Sequence, residues 1–305
     1  RFLTVLLYLW KRSSEKTHKT DNAVCCGIAI YYITRKGGFF MIDTYVHTEF
    51  SADSSAPVRS QIDQAIRLGM PKICITDHYD PDTPFTELDF TLDLEQYFPA
   101  LEAIREEYRG RIEILIGIEL GIQNHIADLL ETIACSYPFD YIIGSSHFVD
   151  GKDPYEPSFY DGRTEEETFR RYFEVTLDRV KSIPGFDSLG HLDYILRYSP
   201  NQNRLYSYDR YRDVIDPILE VLIAQGRALE CNTGGYKYGL GEPNPSASVL
   251  KRYRELGGEL ITIGSDAHES RHLGYAFSQA NSLLKECGFR YYTVYQNRKP
   301  CFYPL

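Results

Sequence analysis

The chain is expected to fold as an α/β barrel with its functional centre at the C-terminal ends of the strands. Two observations predict this. From residue 41 onward, short apolar runs alternate with helical segments, at roughly 30–45-residue spacing. At strand after strand, the apolar run finishes in His, Asp or Glu. A doubly wound sheet and a closed barrel both accommodate the alternation. In an open sheet only the strands beside a switch point bring their ends together. In a barrel all strand ends converge on one mouth, so repeated polar endings favour the barrel.

The elements follow in order. Residues 41–46 form the first strand. Helix 56–68 has Val58, Ile62, Ala65, Ile66 and Leu68 at helical spacing, and Gly69 stops it. Strand 72–76, an acidic and Pro-punctuated loop at 81–93, helix 94–109 closed by Gly110, strand 112–118, helix 126–137 ending at Pro138, and strand 141–144 come next. After a polar stretch at 150–163, Thr164 and Glu167 have the spacing of a capping box and open a helix to about 182. Strand 188–192, loop 201–207, helix 211–224, strand 227–231 and a Gly-rich loop at 234–241 follow. Helix 246–256, strand 259–263, helix 276–287 and a last strand at 291–295 complete the chain.

Composition bounds the function. The chain has 305 residues, is 43% apolar, and is long enough for a substantial core. A net charge of −10 disfavours long nucleic acid, and with it an exonuclease role, because phosphate backbones need clustered Lys and Arg. A small phosphorylated substrate remains compatible. The seven Cys are scattered with no CxxC pair, which predicts reduced thiols and a cytoplasmic protein. Residues 2–10 are apolar but far short of the ~20 residues a membrane span needs, so no membrane partner is expected. Residues 1–40 differ from the rest, and the first methionine is Met41. They are expected to be a leader outside the domain, upstream of the natural start, with the barrel at 41–305.

The strand ends carry the chemistry. They read Tyr45-Val-His47, Thr76-Asp-His78, Gly117-Ile-Glu119, Ser145-Ser-His147, His191-Leu-Asp193, Glu230-Cys-Asn232 and Ser265-Asp-Ala-His268. Five of the eight His stand there. Asp266 and His268, at i and i+2 of an extended segment, would share a face. One such His would ordinarily be a hydrogen-bonded core residue. Imidazoles and carboxylates on five junctions, costly to bury unpaired, predict shared cations instead. The nitrogen and oxygen donor set suits Zn, Mn, Fe or Co rather than a structural thiolate site. Adjacent divalent ions can bring the pKa of a water near neutral and stabilise a departing alkoxide. With no P-loop, GxSxG or dinucleotide fingerprint in competition, metal-assisted phosphoester hydrolysis leads over amide or deamination chemistry.

Six motifs, in this order and spacing, resemble the PHP (polymerase and histidinol phosphatase) family of metal-dependent phosphoesterases, most closely its histidinol-phosphatase branch. They are Met41-Ile-Asp-Thr-Tyr-Val-His-Thr-Glu-Phe-Ser51, Ile75-Thr-Asp-His78, Gly117-Ile-Glu119, Gly144-Ser-Ser-His-Phe-Val-Asp150, Gly190-His-Leu-Asp193 and Gly264-Ser-Asp-Ala-His268. The resemblance covers residue 41 to the C-terminus. It implies a distorted (β/α)7 TIM-like barrel with two to three divalent ions at its mouth. It implies His47, Glu119 and Asp266 for the first ion. A bridging Glu119 with His147 and His191 would hold the second, and His78, His268 and Asp53 the third. Asp266, His268 and Glu119 take the catalytic role. The implied reaction is hydrolysis of L-histidinol phosphate to L-histidinol and phosphate, by a monomer or small homo-oligomer. The family opens with His-x-His, and this chain has Tyr45 at the first position, which predicts a weakened first ion. Two alternatives stay open: another PHP phosphoesterase acting on a different small phosphoester, and a metal-binding protein impaired by Tyr45.

Other residues have two readings each. Asp53 ligates or caps the nearby helix. Arg197 and then Arg163 are candidates to clamp phosphate through bidentate guanidinium contacts, or are solvated. Asn232 touches substrate or the inner shell, or serves a turn. Glu49 meets a substrate ammonium or stays at the surface. His125 is expected at a helix start, His272 in a loop, and Asp43 and Asp77 behind the ligands, orienting imidazoles.

Overall fold

The structure is a computed structural model that describes residues 41–84 and 88–305. The proposed leader and His18 lie outside the described residues. The strands β1 (Asp43–Val46), β2 (Lys72–Ile75), β3 (His78–Tyr79), β4 (Glu113–Gly121), β5 (Tyr141–Ser145), β6 (Ser188–Leu189), β7 (Ala228–Asn232) and β8 (Ile261–Gly264) are the staves of a barrel. They pair in parallel in the order β1-β2-β4-β5-β6-β7-β8. A parallel bridge between Val46 and Ala267 brings the two edges together. The His47 N–H donates to the Ala267 carbonyl at 3.0 Å, and the Asp266 N–H to the Tyr45 carbonyl at 3.0 Å. Helices α1 (Val58–Arg67), α2 (Leu94–Glu107), α3 (Ala127–Ser136), α4 (Glu165–Ser182), α5 (Tyr208–Ala224), α6 (Gly234–Lys237), α7 (Ala247–Glu255) and α8 (Phe277–Glu286) lie in the connections.

Local sequence explains most of these elements. β4 is buried at every residue after Glu113, as expected of a parallel strand covered on both faces. α1 buries Val58, Ile62 and Ala65, one stripe of its surface. α4 opens with a capping box: Thr164 accepts from the Glu167 N–H at 3.2 Å, and Glu167 accepts from the Thr164 N–H at 2.9 Å. The barrel is irregular. The register slips along β1, and β6 has only two residues. The line of β2 breaks at Thr76 and Asp77 before resuming as β3, which pairs His78 with Glu119 on β4. The break follows from Asp77 turning inward, where its carboxylate accepts the Thr48 N–H, the Thr48 hydroxyl and the Ser51 hydroxyl.

Several expectations need correction. β4 runs to Gly121, so Glu119 lies inside the strand rather than at its end. The Gly-rich stretch after β7 contains the short helix α6. Helix α5 starts at Tyr208, three residues before the expected start. The last strand, β9 (Tyr291–Gln296), is no barrel stave. It forms an antiparallel hairpin with β10 (Lys299–Pro304), which the sequence reading missed. The hairpin lies at the N-terminal ends of the staves. Tyr295 stacks on Tyr141 at 5.3 Å between ring centroids. The Asn297 N–H donates to Asp140 at 3.0 Å, and Arg298 pairs with Asp187 at 2.5 Å. These contacts seal the end of the barrel opposite the functional centre. No helix among the described residues is long and apolar enough to cross a membrane.

Candidate metal centre

Seven polar side chains from the strands and the turns just after them meet at the C-terminal mouth. Barrel closure places His47 (after β1) beside Asp266 (after β8), and Glu119 in the middle of the group. His47 Nε2 stands 3.3 Å from Asp266 Oδ1 and 3.6 Å from Glu119 Oε2. Glu119 Oε1 stands 3.0 Å from His147 Nε2 and 3.2 Å from His191 Nε2. Asp53 Oδ2 lies 3.0 Å from His268 Nε2 and 3.6 Å from His78 Nε2. Each ligand set implied by the resemblance is thus drawn together. The tightest groupings cut across those sets: His47, His78 and His268 form one, and His78, Glu119 and His147 another, with His78 in both.

The donor set fits divalent ions. Donors sharing one ion at about 2.1 Å in a tetrahedron stand about 3.4 Å apart, close to these separations. Protonation sharpens the point. The Ser51 hydroxyl donates to Asp77 at 2.7 Å and accepts the His78 N–H at 3.0 Å. It therefore accepts from His47 Nδ1–H at 3.1 Å. That leaves Nε2 of His47 a bare lone pair aimed at two carboxylates. Both His47 Nε2 and Glu119 Oε2 are buried without a hydrogen-bond partner, although His78 Nδ1 approaches Glu119 Oε2 to 2.9 Å. Facing lone pairs at such distances repel, and a cation between them removes the repulsion. Burial, with His268 and His78 nearby, lowers the His47 pKa to about 4, so the imidazole is neutral, as a ligand must be. Burial pushes the Glu119 carboxyl up, but His78, His147 and His191 overcome it and hold it well below the usual range.

A supporting layer fixes these rings. Asp80 accepts from His147 Nδ1 at 2.9 Å and His78 Nδ1 at 3.2 Å, turning Nε2 of each outward. Asp80 fits only because residue 121 is glycine: a Cβ there would lie 1.6 Å from Asp80 Oδ1. His268 Nδ1 faces the Asp266 carbonyl at 3.0 Å, so its Nε2 is free to face Asp53. Asp43 and Asp77, expected to orient imidazoles, hold backbone instead. Asp43 accepts from the Ser265 and Gly274 N–H groups, and Asp77 reaches His47 only through Ser51. Asp266 and His268 do meet, Oδ1 to Nδ1 at 3.6 Å. They do so not through an extended segment but because Asp266 takes the left-handed region, φ 55°.

Tyr45 is fully buried at the floor of the group. Its hydroxyl lies 3.1 Å from His191 Nε2. Burial, with Glu119, Asp266 and Glu230 around it, raises the phenol well above its ordinary pKa, so it is a neutral group. Glu230, given no role from sequence, is fully buried behind it. It accepts the His191 N–H at 2.8 Å, and burial raises its carboxyl well above the usual range.

The remaining candidates separate cleanly. Arg197 is buried and lines the mouth. Its three nitrogens are each engaged: Nη1 with Asp266 Oδ2 at 2.7 Å, Nη2 with Asn232 at 2.9 Å and Nε with Asn244 at 2.9 Å. Asn232 is fully buried and does not line the mouth; of the readings open to it, the structure shows contact with the cluster, through Asp266 Oδ2 at 3.5 Å, and it also holds Arg197 and Glu230. Arg163 is exposed and paired with Asp150 at 3.4 Å, and Glu49 is exposed on the loop after β1. Neither lines the mouth, although Asp53 and Asp153 in the same two loops do. Asp53 does line it, a third exposed. His125 pairs with Asp82 at 2.7 Å before α3. His272 and Lys237 line the mouth, and Lys237 donates to the Asp266 carbonyl at 3.2 Å. Asp80 could have been found from sequence, because it follows His78 by two residues on a strand, the spacing of a shared face. Lys237 carries no comparable pattern.

Above the cluster opens a cavity of about 840 Å³ walled by Phe90, Phe148, Tyr155, Tyr194, Tyr198 and Tyr238. A parallel barrel with carboxylates and imidazoles gathered below such a cavity is the architecture of a metal-centred PHP domain. Residues 43–234 match the PHP domain family, and the chain belongs to it. Its relatives are more particular. A histidinol-phosphatase of Lactococcus lactis is 32% identical over 85% of this chain and 95% of that protein. A probable histidinol-phosphatase of Thermotoga maritima is 34% identical over 83% of this chain and 95% of that protein. The crystal structure of the Lactococcus lactis histidinol phosphate phosphatase, complexed with zinc, L-histidinol and phosphate, matches with a TM-score of 0.80 at 31% identity. It covers 86% of this chain and 99% of that one.

Proposed function

We propose that the chain is a metal-dependent phosphomonoesterase that hydrolyses L-histidinol phosphate to L-histidinol and phosphate. The observation that carries this is the donor cluster, with the bare Nε2 of His47 facing the Glu119 and Asp266 carboxylates, beneath a cavity large enough for a small phosphoester. The substrate is taken from the relatives, which match nearly end to end. Two to three divalent ions belong to the reading, zinc first because the Lactococcus lactis protein holds it. His47, Glu119 and Asp266 would hold one, Glu119, His147 and His191 another, and Asp53, His78 and His268 the third. Such ions supply Lewis acidity to the phosphoryl group and a water that ionises near neutral pH.

The chain's own residues do the rest. Arg197 presents the two N–H groups not spent on Asp266, Asn232 and Asn244, and with Lys237 it holds the phosphate. Asp266 Oδ1, whose partner oxygen is tied to Arg197, takes the proton of the attacking water. His268, partly exposed at the rim, steadies Asp266 through its Nδ1 on the Asp266 carbonyl, and solvent at the rim takes the proton on. Glu119 orients both deep sets at once. The aromatic wall excludes water from the reacting group.

The test is phosphate release from L-histidinol phosphate by protein loaded in turn with Zn, Mn and Fe, against a chelator-stripped control. Metal-restored turnover supports the reading. Metal-loaded protein that hydrolyses other phosphomonoesters but not this one would replace the substrate, and metal binding with no turnover on any would favour the impaired-protein alternative.

A further inference from the structure

Three buried carboxylates line the cavity: Asp80, Asp153 and Asp266. Asp80 is matched by His78 and His147, and Asp266 by Arg197 and His47. Among the described residues Asp153 forms no ion pair. It lies in the long loop after β5, 6% exposed, and its Oδ1 accepts one hydrogen bond, from the Tyr155 N–H at 2.7 Å. Burial raises its carboxyl to about 6, the Tyr155 N–H and His147 only partly offsetting this. It is therefore mostly ionised at neutral pH. An ionised carboxylate held out of water without a counter-ion is costly, and the space it faces is where the substrate must sit. Glu156 also lines the cavity and adds negative potential, while Tyr155, Tyr194 and Tyr198 supply aromatic rings of the kind that suit a cation or a flat heterocycle. The phosphate-binding side of the cavity, by contrast, carries Arg197 and Lys237. The cavity thus offers guanidinium and ammonium groups to an anion and, at Asp153, a buried carboxylate to a cation.

We propose that Asp153 is the specificity-determining residue, its carboxylate binding a positively charged nitrogen at the end of the substrate remote from the phosphate. The site accordingly selects cationic phosphomonoesters over neutral ones. This rests on the phosphomonoesterase reading above. It adds to it a reason why an amino-alcohol phosphate, rather than any small phosphoester, is the substrate.

The experiment compares the metal-loaded full chain with Asp153→Asn on two substrates, L-histidinol phosphate and phenyl phosphate. Asparagine keeps the acceptor for the Tyr155 N–H, so the loop geometry survives, and phenyl phosphate turnover reports on folding and metal loading. The expected result is a rise of roughly 10- to 100-fold in KM for L-histidinol phosphate, the worth of a charge-assisted hydrogen bond. kcat should move little, phenyl phosphate kinetics should be unchanged, and inhibition by L-histidinol should weaken by the same factor. Equal losses on both substrates, or an unchanged KM for L-histidinol phosphate, overturn the proposal. So does a native chain that handles phenyl phosphate as well as L-histidinol phosphate. A native chain inert on both substrates with every metal is a different result, since it removes the phosphomonoesterase reading itself.

Discussion

Replacing Tyr45 with His tests the centre most directly. Tyr45 fills the floor beneath His47 and His191, fully buried, and offers only a neutral hydroxyl to the cluster. A neutral phenol is a poor ligand beside imidazole. On the proposed reading the deepest ion of the native chain would therefore rest on His47, Glu119 and Asp266 alone. Tyr45→His deletes two heavy atoms from a packed position, which costs the metal-free protein about 1–2 kcal/mol. It also adds a nitrogen donor. Changing a residue that only holds a ligand in place typically alters metal affinity by about 10- to 100-fold, and a new direct ligand should do at least as much, about 1.4–2.7 kcal/mol. The signs then separate. Thermal stability falls in the stripped variant, while in excess metal tighter binding offsets the loss. Elemental analysis after dialysis against a competing chelator should find more metal per chain in Tyr45→His than in the native protein, with faster turnover of L-histidinol phosphate. The same metal content and the same turnover in both would refute the reasoning.

Substitutions at two further positions, Asp80 and Arg197, probe the residues that hold the cluster. Asp80→Ala frees the Nδ1 atoms of His78 and His147, so metal retention against a chelating dye should weaken about 10- to 100-fold; undiminished retention would mean the rings are held by packing alone. Arg197→Ala should raise KM for the phosphoester and, by leaving buried Asp266 without its 2.7 Å partner, lower stability by roughly 3–5 kcal/mol, seen as a drop of several degrees in Tm. Arg197→Lys should recover part of the stability but not the three-way contact with Asn232 and Asn244. An unchanged KM in Arg197→Ala removes this residue from phosphate binding.

Much of the molecule was legible before any coordinates. The alternation of apolar runs and helical stripes, the Thr164–Glu167 capping box and the His or carboxylate at each strand end are encoded within a few residues of one another. Such patterns depend on backbone geometry, with period two for strands and 3.6 for helices. Partner choice is different in kind. His47 and Asp266 belong to opposite ends of the domain and meet only because β1 and β8 close the barrel. Arg197 could have reached for phosphate alone, but the folded chain sets Asp266, Asn232 and Asn244 around it. Asp153 is one more acidic residue in a polar loop until the loop is buried beside the cavity without a counter-ion. The C-terminal hairpin looked like one more stave, because a strand's sequence records its faces and not its neighbour. The sequence alone thus determined the elements and the types of donor at the strand ends. The tertiary structure alone decided which donors face one another, which buried charges are compensated and which wait for a ligand, because burial and Coulomb energy depend on distances that span the whole chain.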